Sequence, residues 1–336
     1  MKLTTAATAL ALLCSLAISA LWAQAPGMPG NPGTTSPIPP PDAPPIKPAA
    51  AGPYHVAIES DPSLPTHTVY RPADLAPFTG AKRLPIIAWG NGACSNAGLL
   101  FQEFLSNVAS YGFMIIVSGP KDAPMPAFAR APQGASSSGA PAAPAPPAPG
   151  SPPPPMTKDA DMQTALDWAT QQNAAADSPY HGKLNPDRMA VMGQSCGGLQ
   201  AIANSADPRI KTSIIWNSGL FPDGSIGRSL SSATKASLSK IHAPIAYING
   251  GPADAAYINA VDDIKHIEGV PVFFGWINVG HFGTFRHPGG GRYADVGVAW
   301  LKWQLKGDKQ AAKMFEGPDC TLCKDPVWHV QKKNMS

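Results

Sequence analysis

Charged residues are scarce in this chain. Only 14% of its 336 residues are Asp, Glu, Lys or Arg, while it contains 32 glycines and 39 prolines. The 25 basic and 22 acidic side chains nearly balance without any basic run, which gives no sign of a nucleic-acid or anionic-membrane partner. So much proline and glycine indicates a globular domain with structureless additions, because Pro-rich segments dilute the charge of the whole chain.

No apolar run is long enough to cross a membrane. The run from residue 6 to 20 falls short of the roughly 20 apolar residues that span a bilayer. It follows Lys2 and precedes small residues around Ala23 and Ala25, which is the layout of a secretory signal peptide. We therefore expect residues 1–23 to be removed on export. The mature protein is then secreted or periplasmic, without stable insertion into a membrane.

The sequence also lacks clusters with metal-ligand spacing and a Gly-rich phosphate loop, so we expect no metal and no cofactor. Cysteine is rare: there are five, of which Cys14 lies in the predicted signal peptide. The four that remain are an even number, which favours disulfides in an exported protein. The spacing of Cys320 and Cys323 would suit zinc as well, but no second such pair completes four ligands.

Two Pro-rich segments divide the chain. Residues 24–52 are typical of an extended linker that holds a domain away from its amino terminus. Residues 121–156 contain a Pro/Ala-rich stretch that can form neither a helix nor a central strand, as in a lid, a binding loop or a disordered insertion. We predict one domain over residues 53–310 that carries this insertion, followed by a Cys-containing tail over residues 311–336.

Short apolar runs alternate with amphipathic stretches through the predicted domain. The predicted strands are His67–Arg71, Leu84–Trp89, Phe113–Ser118, Arg188–Met192, Thr212–Trp216, Pro244–Asn249 and Val270–Ile277. The predicted helices are Ala97–Tyr111, Lys158–Asn173, Gly197–Ala206, Ala255–Ile267 and Arg292–Leu305. Such alternation implies an α/β fold with a largely parallel sheet and helices on both faces.

The strongest local motif is Gly193-Gln194-Ser195-Cys196-Gly197-Gly198. It follows the apolar run Met189–Met192 and precedes a helix-compatible stretch that begins at Leu199. Strand, tight turn and helix are the context of a nucleophile elbow, in which small residues let the strand and the helix approach closely. The turn exposes the serine hydroxyl, and the helix N-terminus lends it positive potential. The motif therefore predicts Ser195 as a nucleophile.

Four segments together resemble the α/β-hydrolase superfamily. They are Pro85–Cys94, the elbow, Asn249–Asp254 and Val279–Gly283, and they occur in the order serine, acid, histidine. Within the superfamily the chain resembles the branch of dienelactone-hydrolase-like, chlorophyllase-like and bacterial cutinase-like esterases. The resemblance implies a single α/β-hydrolase domain with a mostly parallel central sheet and helices on both faces.

A histidine and an acid complete the predicted catalytic residues. His281 follows an apolar strand and lies in a Gly-flanked turn, and imidazole is suited to general-base catalysis. Asp254 lies in a strand-end turn, where the resemblance places the acid that orients the histidine. His287 is the nearest competitor for the base. Asp262 and Asp263 are alternatives for the acid, which we interpret as a solvated helix face.

The resemblance also implies an oxyanion hole made of two backbone N–H groups. One comes from Cys196, directly after the nucleophile. The other comes from Ala93, because Gly90-Asn91-Gly92-Ala93 aligns with the family's Gly-His-Gly-x. Asn91 in place of the histidine is a departure that leaves Cys94 as an alternative donor.

This assignment brings two cysteines together. If Ala93 and Cys196 donate to one oxyanion, the α-carbons of Cys94 and Cys196 lie within several ångströms, as a disulfide requires. We predict a Cys94–Cys196 disulfide that holds the two oxyanion loops together. Two separate buried thiols, or a bridge from Cys196 to Cys320 or Cys323, are the alternatives.

Together these features predict a secreted serine hydrolase that cleaves a small-molecule or polymeric carboxylic ester through an acyl-serine intermediate. A secreted peptidase of the same fold and a non-catalytic binding module are the alternatives. The chain lacks an obvious propeller or large cap domain, which disfavours a peptidase, and its intact serine, acid and histidine disfavour a binding module. Trp89, Trp216 and Trp276 lie near strand ends, either at the ligand side of the sheet or in the core.

Overall fold

The computed structural model describes residues 39–126, 129, 156–221 and 230–335. The predicted signal peptide, the first part of the predicted linker and most of the predicted Pro/Ala-rich insertion lie outside these residues. The described part contains the elements predicted for the domain.

A nine-stranded sheet forms the centre of the fold. Its strands are β1 (Val56–Asp61), β2 (Leu64–Pro72), β3 (Leu84–Gly90), β4 (Met114–Ser118), β5 (Leu184–Gln194), β6 (Ile210–Trp216), β7 (Ile245–Asn249), β8 (Val272–Trp276) and β9 (His329–Lys333). Their order is β1-β2-β4-β3-β5-β6-β7-β8-β9. Neighbours from β4 to β8 run parallel, while β1, β2 and β9 add antiparallel pairs at the two edges. The prediction of an α/β fold with a largely parallel sheet is confirmed.

Helices cover both faces of the sheet. They are α1 (Gln102–Ser110), α2 (Asp159–Ala174), α3 (Cys196–Asn204), α4 (Tyr257–His266), α5 (Gly291–Lys306) and the one-turn helices α6 (Lys309–Ala312) and α7 (Thr321–Lys324). Helices α2, α3 and α4 bury one face, and α1 and α5 bury the other. Within the described ranges, no helix combines the length and apolarity needed to cross a membrane.

The central strands are apolar throughout because helices cover both of their sides. In β3, Ile86 and Ala88 pack in the core beneath α2, while Ile87 and Trp89 pack in the core beneath α1 and α5. All of β3 is buried. A strand with two buried faces reads as a continuous apolar run rather than as an alternating one, which is why the sequence predicts this strand.

The two edge strands were absent from the sequence prediction. Every residue of β1 is half-buried or exposed, so its sequence carries no clear alternation. Strand β9 pairs with β8 and ends in Lys332 and Lys333, charged residues that are typical of a sheet edge. The sequence predicts residues 311–336 as a tail. In the structure they contribute α7 and the last strand of the sheet.

The described end of the predicted linker lies against the domain. The carbonyl of Ala50 accepts hydrogen bonds from Asn107 Nδ2 at 3.1 Å and from the Tyr111 hydroxyl at 3.0 Å. Asn278 Nδ2 donates to Asp42 Oδ1 at 2.7 Å. A backbone carbonyl and a carboxylate of this segment thus find partners on the domain surface. Residues 39–52, the described part of the predicted linker, are therefore fastened to the domain.

An aromatic cluster lies beneath the carboxyl ends of the central strands. Its centre is the Phe285 ring, which is 1% exposed. The Phe285 ring centroid lies 4.9 Å from that of Phe101, 5.0 Å from that of Phe104 and 5.7 Å from that of Trp216. Trp89, another buried member, lies 6.0 Å from Phe285. Two of the tryptophans near strand ends therefore belong to the core, and the cluster anchors the segment that follows His281.

We expect Phe285→Ala to lower the free energy of unfolding by about 3–5 kcal/mol, because it leaves a cavity among rings that cannot close around it. Urea denaturation at constant protein concentration measures the change. Ile46→Ala is the control, since Ile46 is 65% exposed and its truncation should change stability little. Equal effects of the two substitutions would contradict the anchoring role of Phe285.

Candidate active site

The candidate site lies where the order of the strands reverses. From β3 the chain moves to β4 on one side of it, and it later enters β5 on the other side. In open α/β sheets such a switch point opens a crevice at the carboxyl ends of the strands, where ligands bind. Ser195 directly follows β5, and the segment from Asn91 to Phe101 directly follows β3. Sheet topology alone thus brings the two predicted loops to one crevice.

Ser195 occupies a strained turn between β5 and α3. Its φ of 55° and ψ of −118° lie outside the regions favoured by residues with a side chain. A Cβ on Gly193 would lie 2.1 Å from the carbonyl oxygen of Gly197, and a Cβ on Gly197 would lie 2.0 Å from that of Gly90. Neither position can hold a side chain without moving the strand or the helix. The elbow therefore has the close approach that the motif predicts.

His281 lies between the serine and the acid. Its Nε2 is 2.9 Å from Ser195 Oγ, and its Nδ1 is 2.7 Å from Asp254 Oδ1. Because a carboxylate only accepts, Nδ1 carries the proton of the neutral ring and Nε2 accepts from the hydroxyl. The three residues predicted from different parts of the sequence thus form one hydrogen-bonded series. Asp254 is fully buried, and Ser195 and His281 are 6% and 5% exposed.

Asp254 is held by three donors besides His281. Its Oδ1 accepts from the Ala256 N–H at 2.9 Å, and its Oδ2 accepts from the Gly250 N–H at 3.1 Å and from Asn217 Nδ2 at 2.8 Å. Burial by itself would raise the pKa of Asp254, but the pairing with His281 and these donors outweigh it and lower the pKa. The carboxylate therefore keeps its negative charge opposite the imidazole.

The competing residues lie elsewhere. The pKa of half-buried His287 is lowered by burial, and it is His281 that contacts the serine. Asp262 and Asp263 both pair with Lys235, at 2.6 Å and 2.7 Å. The interpretation of Asp263 as solvated is wrong, because its side chain is fully buried. Burial raises its pKa to about 6.

Hydrogen bonds of the Asn91 side chain hold the loop after β3. Asn91 Oδ1 accepts from Trp89 Nε1 at 2.9 Å, and Asn91 Nδ2 donates to the carbonyls of Ser95 and Ala97 at 3.0 Å. The Asn91 carbonyl accepts from the Gly197 N–H, which ties this loop to α3. Asn91, which stands where the resembled motif has histidine, is thus a structural residue of the loop. The helix predicted over Ala97–Tyr111 begins later, at Gln102.

The predicted oxyanion donors are the backbone N–H groups of Ala93 and Cys196. Among the hydrogen bonds that the described residues form outside helices and strands, neither group donates one. Ala93 and Cys94 have left-handed φ values of 56° and 49°, so the short turn they form departs sharply from a helix. The assignment of Ala93 and Cys196 as oxyanion donors is compatible with this arrangement and stays a prediction.

The four cysteines in the described part of the chain form two pairs at disulfide distance. The α-carbons of Cys94 and Cys196 are 5.2 Å apart, and those of Cys320 and Cys323 are 4.9 Å apart. Both separations lie within the range that a disulfide requires. The predicted pairing is confirmed. The first pair is fully buried and joins the loop after β3 to the first residue of α3.

Sequence reasoning missed two buried amides. Gln194 Nε2 donates to the His281 carbonyl at 2.9 Å, and Asn217 Nδ2 contacts the acid. Gln194 lies inside the elbow motif, which could have drawn attention to it. Asn217 follows a predicted strand, and its polar side chain at a strand end was the only available signal.

The sequence matches no family model, and no curated protein is significantly similar to it. Function is therefore inferred from the geometry of the site.

Replacing Cys94 and Cys196 together by serine should lower the free energy of unfolding by about 2–5 kcal/mol, because a bridge across a long loop restricts the unfolded chain. The matched control replaces Cys320 and Cys323. That pair is separated by 3 residues rather than 102, so its loss should cost less. Urea denaturation under non-reducing conditions compares the two. A larger cost for the control would overturn the expectation.

Proposed function

We propose that the chain is a secreted serine hydrolase of the α/β-hydrolase fold that cleaves carboxylic esters. The observation that carries the proposal is the hydrogen-bonded series from Ser195 Oγ through His281 to the buried Asp254 carboxylate. This arrangement is the one by which a serine hydroxyl becomes a nucleophile at neutral pH. We assign the three residues as a catalytic triad.

The surroundings of the triad support the same fold. An α/β-hydrolase has its nucleophile on a strand-to-helix elbow, its second oxyanion donor in the loop after β3, and its residues in the order serine, acid, histidine. Here Ser195 joins β5 to α3, Ala93 follows β3, and Asp254 and His281 come later in that order. The preference for esters over peptides follows from the resemblance of four segments to an esterase branch.

In the first half of the proposed reaction, Ser195 Oγ attacks the ester carbonyl carbon while His281 Nε2 takes its proton. The carbonyl oxygen becomes an oxyanion, and the N–H groups of Ala93 and Cys196 stabilise it. Asp254 stabilises the imidazolium that forms. The tetrahedral intermediate then collapses: the bond to the alcohol oxygen breaks, His281 returns its proton to that oxygen, and the acyl group stays on Ser195.

In the second half a water molecule repeats the attack. His281 takes a proton from the water, whose oxygen adds to the acyl carbon. The bond from Ser195 Oγ to that carbon then breaks, and the proton on His281 passes to Oγ. The products are the carboxylic acid and the free enzyme. Each protein group ends the cycle in its starting protonation state.

Export is part of the proposal. The predicted signal peptide directs the chain out of the cytoplasm, and the two cysteine pairs at disulfide distance suit an oxidising compartment. A bridge next to the nucleophile would then form where oxidation is available. We therefore assign the site of action to the periplasm or the exterior of the cell.

We expect the purified protein to react with a fluorophosphonate probe at Ser195 and to hydrolyse p-nitrophenyl esters of short to medium chain length. Ser195→Ala and His281→Ala should lower kcat by about 10⁴-fold or more, and Asp254→Asn by less. Asp263→Asn is the matched control, because it removes another buried carboxylate that pairs with Lys235 and does not contact His281.

The outcomes separate the candidate functions. Absence of labelling in the wild-type protein would contradict an enzyme and favour a binding module. Labelling at Ser195 with turnover of peptides but not of esters would replace the esterase with a peptidase. Near-normal activity of Asp254→Ala would overturn the assignment of the acid.

A further inference from the structure

The loop that carries His281 depends on partners outside itself. Its N–H groups at Val279 and Gly280 both donate to the carbonyl of Gly250, at 3.1 Å and 2.9 Å. Its carbonyls at Gly280 and His281 accept from side-chain amides, and the Gly280 carbonyl also accepts from the Gly283 N–H at 3.1 Å. The Gly280 carbonyl accepts from Asn217 Nδ2 at 3.1 Å. One amide therefore reaches the residue directly before the catalytic base.

Asn217 is held firmly where it can do this. It follows β6, is fully buried, and its N–H donates to the Ile248 carbonyl of the neighbouring strand at 2.8 Å. Its φ of 42° is left-handed, a conformation that asparagine adopts more readily than most residues. The turn directs the chain away from the sheet and leaves the side chain among the loops after β7 and β8.

The contacts of its amide fix which end faces the site. Asn217 Nδ2 lies 2.8 Å from Asp254 Oδ2, 3.1 Å from the Gly280 carbonyl and 3.2 Å from the Tyr293 hydroxyl. The carboxylate and the carbonyl can only accept. An oxygen in place of Nδ2 would therefore face two acceptors, so the NH₂ group must occupy this position.

From these contacts we propose that Asn217 is a positioning residue that sets the geometry of the His281–Asp254 pair. The inference rests on the proposed function, and it assigns a role in that reaction to a residue outside the triad. A single NH₂ group binds the acid and the backbone before the base at the same time. It holds Asp254 Oδ2, which leaves Oδ1 directed at His281 Nδ1.

This role predicts a specific kinetic effect. Asn217 is buried behind the acid, and among the described residues its side chain contacts the triad and its supports. Its loss should misalign the imidazole during proton transfer without changing the surface that binds the ester. We therefore expect kcat to fall while KM stays nearly constant.

Two substitutions in the full-length protein test the proposal. Asn217→Gly removes the amide and keeps a left-handed backbone free of strain. Asn217→Asp keeps the shape but places a carboxylate against Asp254 and the Gly280 carbonyl. We expect kcat for a p-nitrophenyl ester to fall by about 10- to 100-fold in Asn217→Gly and by more in Asn217→Asp.

Asn204→Ala is the matched control. Asn204 is also buried, and its Nδ2 donates to the carbonyls of Asp159 and Gln200 at 3.0 Å and 2.9 Å, away from the triad. Its loss should lower stability in urea denaturation, as the loss of a buried donor does, and leave kcat unchanged. A fall in kcat that merely follows stability across all three variants would overturn the proposal.

A second readout does not depend on turnover. In protein labelled with ¹⁵N-histidine, the Nδ1–H resonance of His281 reports its hydrogen bond to Asp254. It should shift or broaden in Asn217→Gly and Asn217→Asp and stay unchanged in Asn204→Ala. An inactive wild type with these NMR changes would overturn the proposed function but leave the positioning role. An active wild type whose Asn217 variants keep both kcat and the resonance would overturn the positioning role alone.

Discussion

A buried negative charge organises this site. A carboxylate removed from water is costly unless donors surround it, and the Asp254 side chain is fully buried. Its donors come from the ends of three neighbouring strands: Asn217 follows β6, Gly250 follows β7, and His281 follows β8. The hydrogen bonds that stabilise this one carboxylate therefore bring three loops together. The position of His281 is a consequence of how the protein solvates the Asp254 carboxylate.

The opposite side of the crevice is held by different means. There the loop after β3 depends on the amide of Asn91, on a hydrogen bond to α3 and on the bridge between Cys94 and Cys196. Left-handed backbone at Ala93 and Ser195 has a conformational cost of about 1–3 kcal/mol for each residue. Packing and covalent closure around these turns offset it. Polar contacts therefore hold Asp254 and His281, while a covalent link joins the loop after β3 to α3.

A feature could be predicted from the sequence where the residues that cause it are neighbours along the chain. Strand β3 is buried on both faces, so its apolar run is visible in the sequence. Ser195 is visible because the elbow needs small residues at fixed positions. The edge strands β1 and β9 escaped prediction because all of their residues are half-buried or exposed. Asn217 and Asp263 escaped because their partners, at Gly280 and Lys235, are close only in the folded chain.

The bridge between Cys94 and Cys196 also encloses the Pro/Ala-rich segment of the chain. The two half-cystines are separated by 102 residues, and residues 130–155 all lie between them. The free-energy cost of closing such a ring rises only weakly with its length, by about 0.6 kcal/mol for each doubling. The segment can therefore lengthen or shorten at little cost to the fold. A single cut within it would yield two polypeptides, one with the Ala93 loop and one with Ser195, still joined as one covalent molecule.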